Sequence, residues 1–243
     1  MNRLFTFGCS FTEYFWPTWA DIVGQNFDYY RNWGRSGAGN QYIFNSLIEA
    51  NARKRFTDKD TVIIMWTNVT REDRYVNYEW KTVGNIYTVQ TFYDKTFIKK
   101  YADDRGYLIR DLATIAATID LLDHWGVKYH LLSMVPLNNL DQSSLKPSLD
   151  NDVIELYASA IEKIKPSIYE TVFNFDWFSR NVNGIKEFNI HPIPSEHLEY
   201  VEKVLPEYPI SDATREWVKQ FDRSAKRLDK FDFFDQYRPK RRL

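Results

Sequence analysis

The stretch Leu4-Phe5-Thr6-Phe7-Gly8-Cys9-Ser10-Phe11-Thr12 decides the fold of this chain. Its first four residues are apolar or β-branched, which predicts a strand, and the small residues that follow predict a sharp exit. Open α/β folds bind their ligands at the carboxyl ends of the strands. Ser10 is therefore a candidate nucleophile, although a serine after a strand is also a common turn residue or helix cap.

Predicted strands and helices alternate along the rest of the chain. The predicted strands cover residues 4–7, 29–33, 61–66, 127–135 and 171–175, and the predicted helices cover 17–24, 37–55, 106–125, 152–165, 195–204 and 211–228. This alternation is typical of a parallel sheet with helices on both faces and right-handed crossovers. We therefore predict an α/β fold with a central five-stranded parallel sheet. Residues 1–210 are expected to form the main domain, and residues 211–243 a C-terminal helix and basic tail.

Residues 69–105 interrupt the alternation. They are rich in aromatic and charged side chains, and the stretch from Thr88 to Thr91 alternates as a strand does. The pattern predicts an insertion with a hairpin near the carboxyl end of the third strand. Its aromatic side chains are expected either to pack as an extra layer or to contact a ligand.

Composition narrows the function classes. The 243 residues are 44% hydrophobic with a net charge of −1, which is atypical of disordered chains and of nucleic-acid-binding proteins. The single cysteine excludes an internal disulfide and a cysteine-rich metal site. No signal-peptide pattern and no membrane-length apolar run occur. We therefore expect a cytoplasmic protein with no nucleic-acid or membrane partner.

A glycine-rich segment, Asn32-Trp33-Gly34-Arg35-Ser36-Gly37-Ala38-Gly39, follows the second predicted strand. Glycines let backbone N–H groups face a bound anion, such as the oxyanion of an acyl-transfer reaction or a phosphate. Neither a G-x-G-x-x-G motif nor a P-loop is present. A turn that packs a helix tightly on the sheet is the third interpretation.

Two further segments carry polar side chains that could join Ser10. Asn68 follows the third strand, where its amide can donate to an oxyanion or begin a turn. His191 lies in a proline-stiffened loop, His191-Pro192-Ile193-Pro194, as a candidate base. His191 and His197 could also bind a metal, which is the weaker interpretation because no cysteine supports it. Cys9 is a rival nucleophile, but neighbouring side chains at a strand exit point in opposite directions, so only one of Cys9 and Ser10 can face the cleft.

The order of these blocks resembles that of the SGNH (GDSL-type) hydrolases, which are named for Ser, Gly, Asn and His. The resemblance spans residues 3–205. The sequences of these segments are also similar to those of SGNH-like proteins encoded by tailed bacteriophages. It implies a flavodoxin-like three-layer α/β/α sandwich. It also implies hydrolysis of an ester, often an acetyl group on a carbohydrate or an acyl group on a lipid, without a metal or other cofactor.

The resemblance assigns roles by position. Ser10 would attack the carbonyl and His191 would take its proton, while the N–H groups of Ser10 and Gly37 and the side chain of Asn68 would bind the oxyanion. The chain departs from the family where an aspartate usually lies three residues before the catalytic histidine, because that residue is Phe188. The candidates for the missing acid or orienting group are Asn189, Asp176 and Glu187, and His197 is the alternative base.

We therefore expect an esterase or deacetylase that acts on a small-molecule or glycan ester. Trp66, Arg71 and Trp80 are the residues expected to line the substrate cleft. The alternative is a catalytically degenerate SGNH fold that serves as a binding or structural module of a phage particle, with or without formation of a homo-oligomer. A phage-encoded protein would be found in the host cytoplasm or in the virion.

Overall fold

The computed structural model describes residues 2–87, 92–137, 147–174, 181–182, 185–186 and 191–225. The strands are β1 (Arg3–Phe7), β2 (Tyr29–Asn32), β3 (Asp60–Trp66), β4 (Arg71–Val76), β5 (Glu79–Asn85), β6 (Lys128–Ser133), β7 (Asn181–Val182) and β8 (Ile185–Lys186). The helices are α1 (Trp19–Gly24), α2 (Asn40–Lys54), α3 (Lys95–Tyr101), α4 (Asp104–Trp125), α5 (Pro147–Leu156), α6 (Ala158–Ile161), α7 (Ile168–Thr171), α8 (Pro194–Val204) and α9 (Asp212–Ala225).

A parallel sheet forms the centre of the molecule, and the predicted α/β fold class is confirmed. In the described residues its strand order is β2-β1-β3-β6. Every residue of β3 is buried, as its continuous apolar run predicts. Right-handed crossovers place α1 on one face and α2 and α4 on the other, and the helices pack accordingly, α1 against α8 and α2 against α4.

The topology creates a crevice at the carboxyl edge of the sheet. The chain leaves β1 toward β2 on one side, whereas β3 lies on the other side of β1. Ligands of open α/β sheets bind at such a switch point. The loops that follow β1, β2 and β3 all reach this edge, and they carry Ser10, Gly37 and Asn68.

The prediction of a fifth strand near Thr171 to Phe175 is wrong for the residues that are described. Helix α7 runs to Thr171 and a turn continues to residue 174, while Phe175 lies outside the described residues. The reason is a capping box, in which the Ser167 and Glu170 side chains bond each other's backbone and start a helix instead. The chain does touch the free edge of β6 earlier, through one parallel bridge from Leu131 to Ile164.

The insertion after β3 contains an antiparallel hairpin, β4–β5, followed by α3. This hairpin lies within the predicted insertion, and the alternating stretch Thr88 to Thr91 lies outside the described residues. Its two-residue turn places Asn77 and Tyr78 at φ values of 52° and 64°. Positive φ at both central residues is the geometry that matches the twist of a tight hairpin.

Helices α8 and α9 pack against each other near the end of the described chain. The predicted boundary at residue 210 stays a prediction, and the basic tail lies outside the described residues. Where helices are described, none is long and apolar enough to cross a membrane.

Candidate active site

Ser10 lies in a tight turn directly after β1. The backbone N–H groups of Thr12 and Glu13 both donate to the carbonyl of Cys9, at 2.9 and 3.0 Å. Gly8 makes this turn possible, because a Cβ there would lie 2.0 Å from Oγ1 of Thr12. The short apolar strand and the small residues behind it thus hold the serine at the edge of the sheet.

The two candidate nucleophiles of this turn face different surroundings. Cys9 is fully buried, and its sulfur lies 3.9 Å from Sδ of Met134 in the core. Oγ of Ser10 instead lies 2.9 Å from Nε2 of His191, across 181 residues of sequence. A hydroxyl and an imidazole at this distance have the geometry of a nucleophile and its base.

Aromatic side chains of the segment after β1 hold the imidazole of His191. The ring of Tyr14 stacks on it with centroids 4.1 Å apart and planes 15° apart, and Phe11 contacts it at 5.6 Å. The indole N–H of Trp16 donates to the carbonyl of Pro192 at 2.8 Å. The histidine loop is therefore fixed by the loop that carries Ser10, and the two proposed reacting groups are positioned together.

The C-terminal helices fix the other end of this loop. The N–H of Ile193 donates to the Glu196 carboxylate at 2.7 Å, and the N–H of Ser195 donates to the Asp222 carboxylate of α9 at 3.0 Å. His197, the alternative base, is 1% exposed in α8 and meets the edge of Phe11 at 6.5 Å. Its position is that of a core residue, not of a group at the cleft.

Gly37 lies in a backbone conformation that requires glycine. Its φ is +73°, and a Cβ there would lie 2.2 Å from the carbonyl oxygen of Thr82 in the hairpin. The carbonyl of Gly37 accepts from the N–H of Gly84 at 2.9 Å. Among the described residues its own N–H makes no hydrogen bond, which leaves that donor for a ligand.

Asn68 combines the two interpretations that the sequence left open. Its Oδ1 accepts from the N–H and the hydroxyl of Thr70, at 2.8 and 2.7 Å, so the residue does form a turn. Its amide NH₂ makes no hydrogen bond within the described part of the chain and can donate to an oxyanion.

A cavity of about 550 Å³ lies between the loops after β1 and β2 and the hairpin; its lining residues are Glu13, Asn32, Gly34, Arg35, Ser36, Tyr42 and Thr82. Arg35 donates to Oγ1 of Thr82 and to the carbonyl of Trp80, at 3.2 and 2.7 Å. The cavity lining includes Glu13, three residues after Ser10, and Ser36, directly before Gly37, but none of Ser10, Gly37, Asn68 and His191. It offers both donors and acceptors to a bound group.

The side chains expected to line the cleft have other surroundings. Trp66 is fully buried, so its expected contact with substrate is wrong: β3 is covered on both faces. Arg71 donates to the carbonyl of Ala38 at 2.7 Å and thereby supports the loop beside Gly37. Trp80 packs between Tyr42 and Tyr75, with centroids 5.7 and 5.6 Å away, and reaches the cavity through its carbonyl.

The candidates for the missing acid, Asp176, Glu187 and Asn189, lie outside the described residues, as does Phe188. Within the described ranges no group of three or more His, Cys, Asp or Glu side chains is arranged to hold a metal ion.

A buried polar network supports the loop that carries Asn68. Oδ1 of Asn40 accepts from the N–H of Thr67 at 2.8 Å, and its amide donates to Asp111 at 2.7 Å. Burial raises the pKa of Asp111 to about 6, against hydrogen bonds from Arg110 and Asn40 that lower it. Asn40 of α2 and Asp111 of α4 thus fix the backbone directly after β3.

Sequence reasoning missed the residues that hold the site. Tyr14, Thr70 and Asn85 carry no motif of their own. The signal available for Thr70 was its place two residues after Asn68, since asparagine side chains bond the backbone two residues further on in Asx turns.

Comparisons with known proteins give likenesses of fold. No protein-family model matches the sequence, and no curated protein matches it. Among solved structures, a member of the lipolytic protein G-D-S-L family from Veillonella parvula is 19% identical, with a TM-score of 0.46, over 84% of this chain and 96% of the other. A GDSL-like lipase from Bacteroides thetaiotaomicron is 16% identical, with a TM-score of 0.42, over 88% of each chain. At these identities an activity for this chain has to come from its own residues.

Proposed function

We propose that this protein is a serine esterase of the SGNH type that hydrolyses acyl esters. The observation that carries the proposal is the 2.9 Å distance between Oγ of Ser10 and Nε2 of His191 at the carboxyl edge of a parallel sheet. Serine is a weak nucleophile unless a base takes its proton, and the imidazole lies within reach to do so.

In the proposed reaction Nε2 of His191 takes the hydroxyl proton while Oγ of Ser10 attacks the acyl carbonyl. The carbonyl oxygen becomes an oxyanion, for which the donors are the N–H groups of Ser10 and Gly37 and the NH₂ of Asn68. His191 then gives its proton to the departing alcohol. Water hydrolyses the acyl-enzyme by the same path in reverse and restores Ser10. Each oxyanion donor of this kind contributes about 3 kcal/mol of transition-state stabilisation.

The cavity has a lining that favours a polar substrate. Its lining combines the Arg35 guanidinium, the Glu13 side chain and the Ser36 hydroxyl, which suit a hydroxylated group that needs both donors and acceptors. Its volume of about 550 Å³ is that of an ordinary small-molecule site. We therefore propose acetyl esters of a carbohydrate or a similar polyol as the substrate class.

Hydrolysis of p-nitrophenyl acetate by the wild type and by Ser10→Ala and His191→Ala tests the proposal. We expect both variants to lose at least about 10³-fold in kcat/KM. The wild-type rate should rise with pH through the range in which histidines lose their proton, about pH 5 to 8.

Two matched controls accompany this experiment. Ser46→Ala removes another buried serine, and His124→Ala removes an exposed histidine; both should keep wild-type rates. Equal rates for the wild type and Ser10→Ala would contradict the proposal. A wild type inactive on aryl and glycan acetates alike would favour the binding module on a degenerate hydrolase fold.

A further inference from the structure

Three consecutive residues of the hairpin, Gly84, Asn85 and Ile86, contact both loops that carry the proposed oxyanion donors. The N–H of Gly84 donates to the carbonyl of Gly37, and the N–H of Ile86 donates to the carbonyl of Thr70, both at 2.9 Å. Between them, the Asn85 amide donates to Oγ1 of Thr70 at 2.8 Å. The end of β5 therefore bridges the loops after β2 and β3.

Asn85 is linked to Asn68 through the hydroxyl of Thr70, and the donors and acceptors of this chain of hydrogen bonds can be assigned in only one way. Oδ1 of Asn85 accepts from the N–H of Tyr87 at 2.8 Å, so the NH₂ of Asn85 is the atom that faces Thr70. An NH₂ group can only donate, so the Thr70 hydroxyl accepts from it and sends its own proton to Oδ1 of Asn68.

The N–H of Thr70 gives Oδ1 of Asn68 its second donor, at 2.8 Å. Because a backbone N–H cannot accept, the oxygen of the Asn68 amide must face Thr70 and its NH₂ must face away. The side-chain amide is thus held against a flip by backbone groups at both ends of the chain of hydrogen bonds.

We propose that Thr70 and Asn85 are positioning residues that orient the amide of Asn68 toward the oxyanion. The inference rests on the proposed function and deepens it. It gives the hairpin a role in catalysis that does not require contact with substrate. Preorganised donors stabilise a developing charge without reorganisation during the reaction, so a donor free to rotate contributes less.

The test uses Thr70→Val, which keeps the shape and removes the hydroxyl, and Asn85→Asp, which replaces the donor by an acceptor. We expect both to lower kcat for p-nitrophenyl acetate by about 10-fold, with KM within twofold of the wild type, because the lost interaction acts in the transition state. Affinity for phenylboronic acid, which forms a tetrahedral anion on an active-site serine, should fall by a similar factor. Thr70→Ser keeps the hydroxyl and should restore most of the rate.

Thr118→Val is the matched control for lost stability. It removes another buried hydroxyl, which donates to the carbonyl of Thr114 at 2.7 Å within α4. We expect this variant to keep the wild-type kcat. A comparable loss of kcat in Thr118→Val would show that general destabilisation explains the effect, and would overturn the inference.

A double-mutant cycle separates this inference from the proposed function. If Thr70 acts through Asn68, Thr70→Val should have no further effect on kcat in the Asn68→Ala background. Full additivity, or a wild-type kcat in Thr70→Val and Asn85→Asp while Asn68→Ala lowers it, would overturn the positioning role and leave the esterase standing. Loss of the proposed function is recognised separately, by hydrolysis that does not depend on Ser10.

Discussion

At the scale of single residues, the proposed catalytic pair is held by aromatic packing. Tyr14 and His191 are stacked at 4.1 Å, and Phe11 contacts the imidazole from another direction. Such contacts restrict the ring without using its nitrogen atoms, one of which faces Ser10. The position of the imidazole therefore depends on the ring of Tyr14, four residues beyond the nucleophile in the loop after β1.

Replacement of Tyr14 tests this dependence. Tyr14→Ala removes the stacked ring, and we expect kcat for p-nitrophenyl acetate to fall by about 3- to 10-fold, since aromatic pairs contribute about 0.5–1.5 kcal/mol beyond their buried area. Tyr14→Phe retains the ring and should stay within twofold of the wild type. Equal losses in the two variants would indicate that the hydroxyl, not the stacked ring, matters.

The identity of the candidate residues was predictable from sequence, whereas the contacts that hold their side chains in place were not. Ser10, Gly37 and Asn68 each follow a strand at one edge of the sheet, and strand ends are readable from apolar runs. The stacking of Tyr14 on His191 joins residues 177 positions apart, and no local pattern encodes such a contact.

At the scale of elements, the hairpin caps a helix that has no cap of its own. Helix α2 follows Gly39, which offers no side chain, and the Asp73 carboxylate of β4 accepts from the N–H groups of Gly39 and Tyr42. A carboxylate at a helix start satisfies its unpaired N–H groups and suits its dipole. Burial raises the pKa of Asp73 despite these hydrogen bonds.

Asp73→Asn should lower the free energy of unfolding by about 1–2 kcal/mol, because one of the two oxygens that accept from the N–H groups of Gly39 and Tyr42 is lost. Urea denaturation at neutral pH measures the change. Asp58→Asn, at an exposed position, is the matched control and should stay within about 0.5 kcal/mol of the wild type. A neutral result for Asp73→Asn would mean that the asparagine caps α2 equally well.

Helices α1, α2, α4 and α8 and the buried strands were predicted closely, whereas the single helix predicted over 152–165 is divided into α5 and α6, and the strands of the predicted hairpin were not located. Helix α4 ends before Gly126, which adopts a φ of 67° as a helix C-cap glycine does. The strands of the hairpin have mixed polar sequences: β4 is buried at Glu72 and Asp73 and exposed from Arg74 to Val76, so the base of the hairpin is packed and its tip meets solvent. Their pairing depends on contacts that lie far away in sequence.

At the scale of the whole molecule, buried acids make stability depend on pH. Asp21 is 1% exposed in α1, and burial raises its pKa to about 6 from the ordinary 3.8, although Thr18 and Tyr30 donate to it. Between these two pH values the folded state binds more protons at this site than the unfolded state. The contribution of Asp21 to the free energy of unfolding therefore falls as pH rises from about 4 to 6.

Asp21→Asn should remove that part of the slope. Urea denaturation at several values between about pH 4 and 7 would show a smaller decline for the variant than for the wild type. Parallel curves would indicate that Asp21 titrates normally in the folded protein.

His130 provides the opposite control for the same measurement. Burial lowers the pKa of this histidine to about 4, so its contribution to stability rises with pH from about 4 to 6.5. Replacing it with glutamine should steepen the decline that Asp21 causes. A flatter profile in His130→Gln would contradict the assigned direction.

The bonds that tie the hairpin to two loops also bear on redesign. Residues 84–86 are hydrogen-bonded to Gly37 and Thr70, and Asp73 caps α2. The insertion is therefore bonded to the edge of the sheet at several points and is not a detachable lid. A transplant of this hairpin to another sheet would have to carry the loops after β2 and β3 with it.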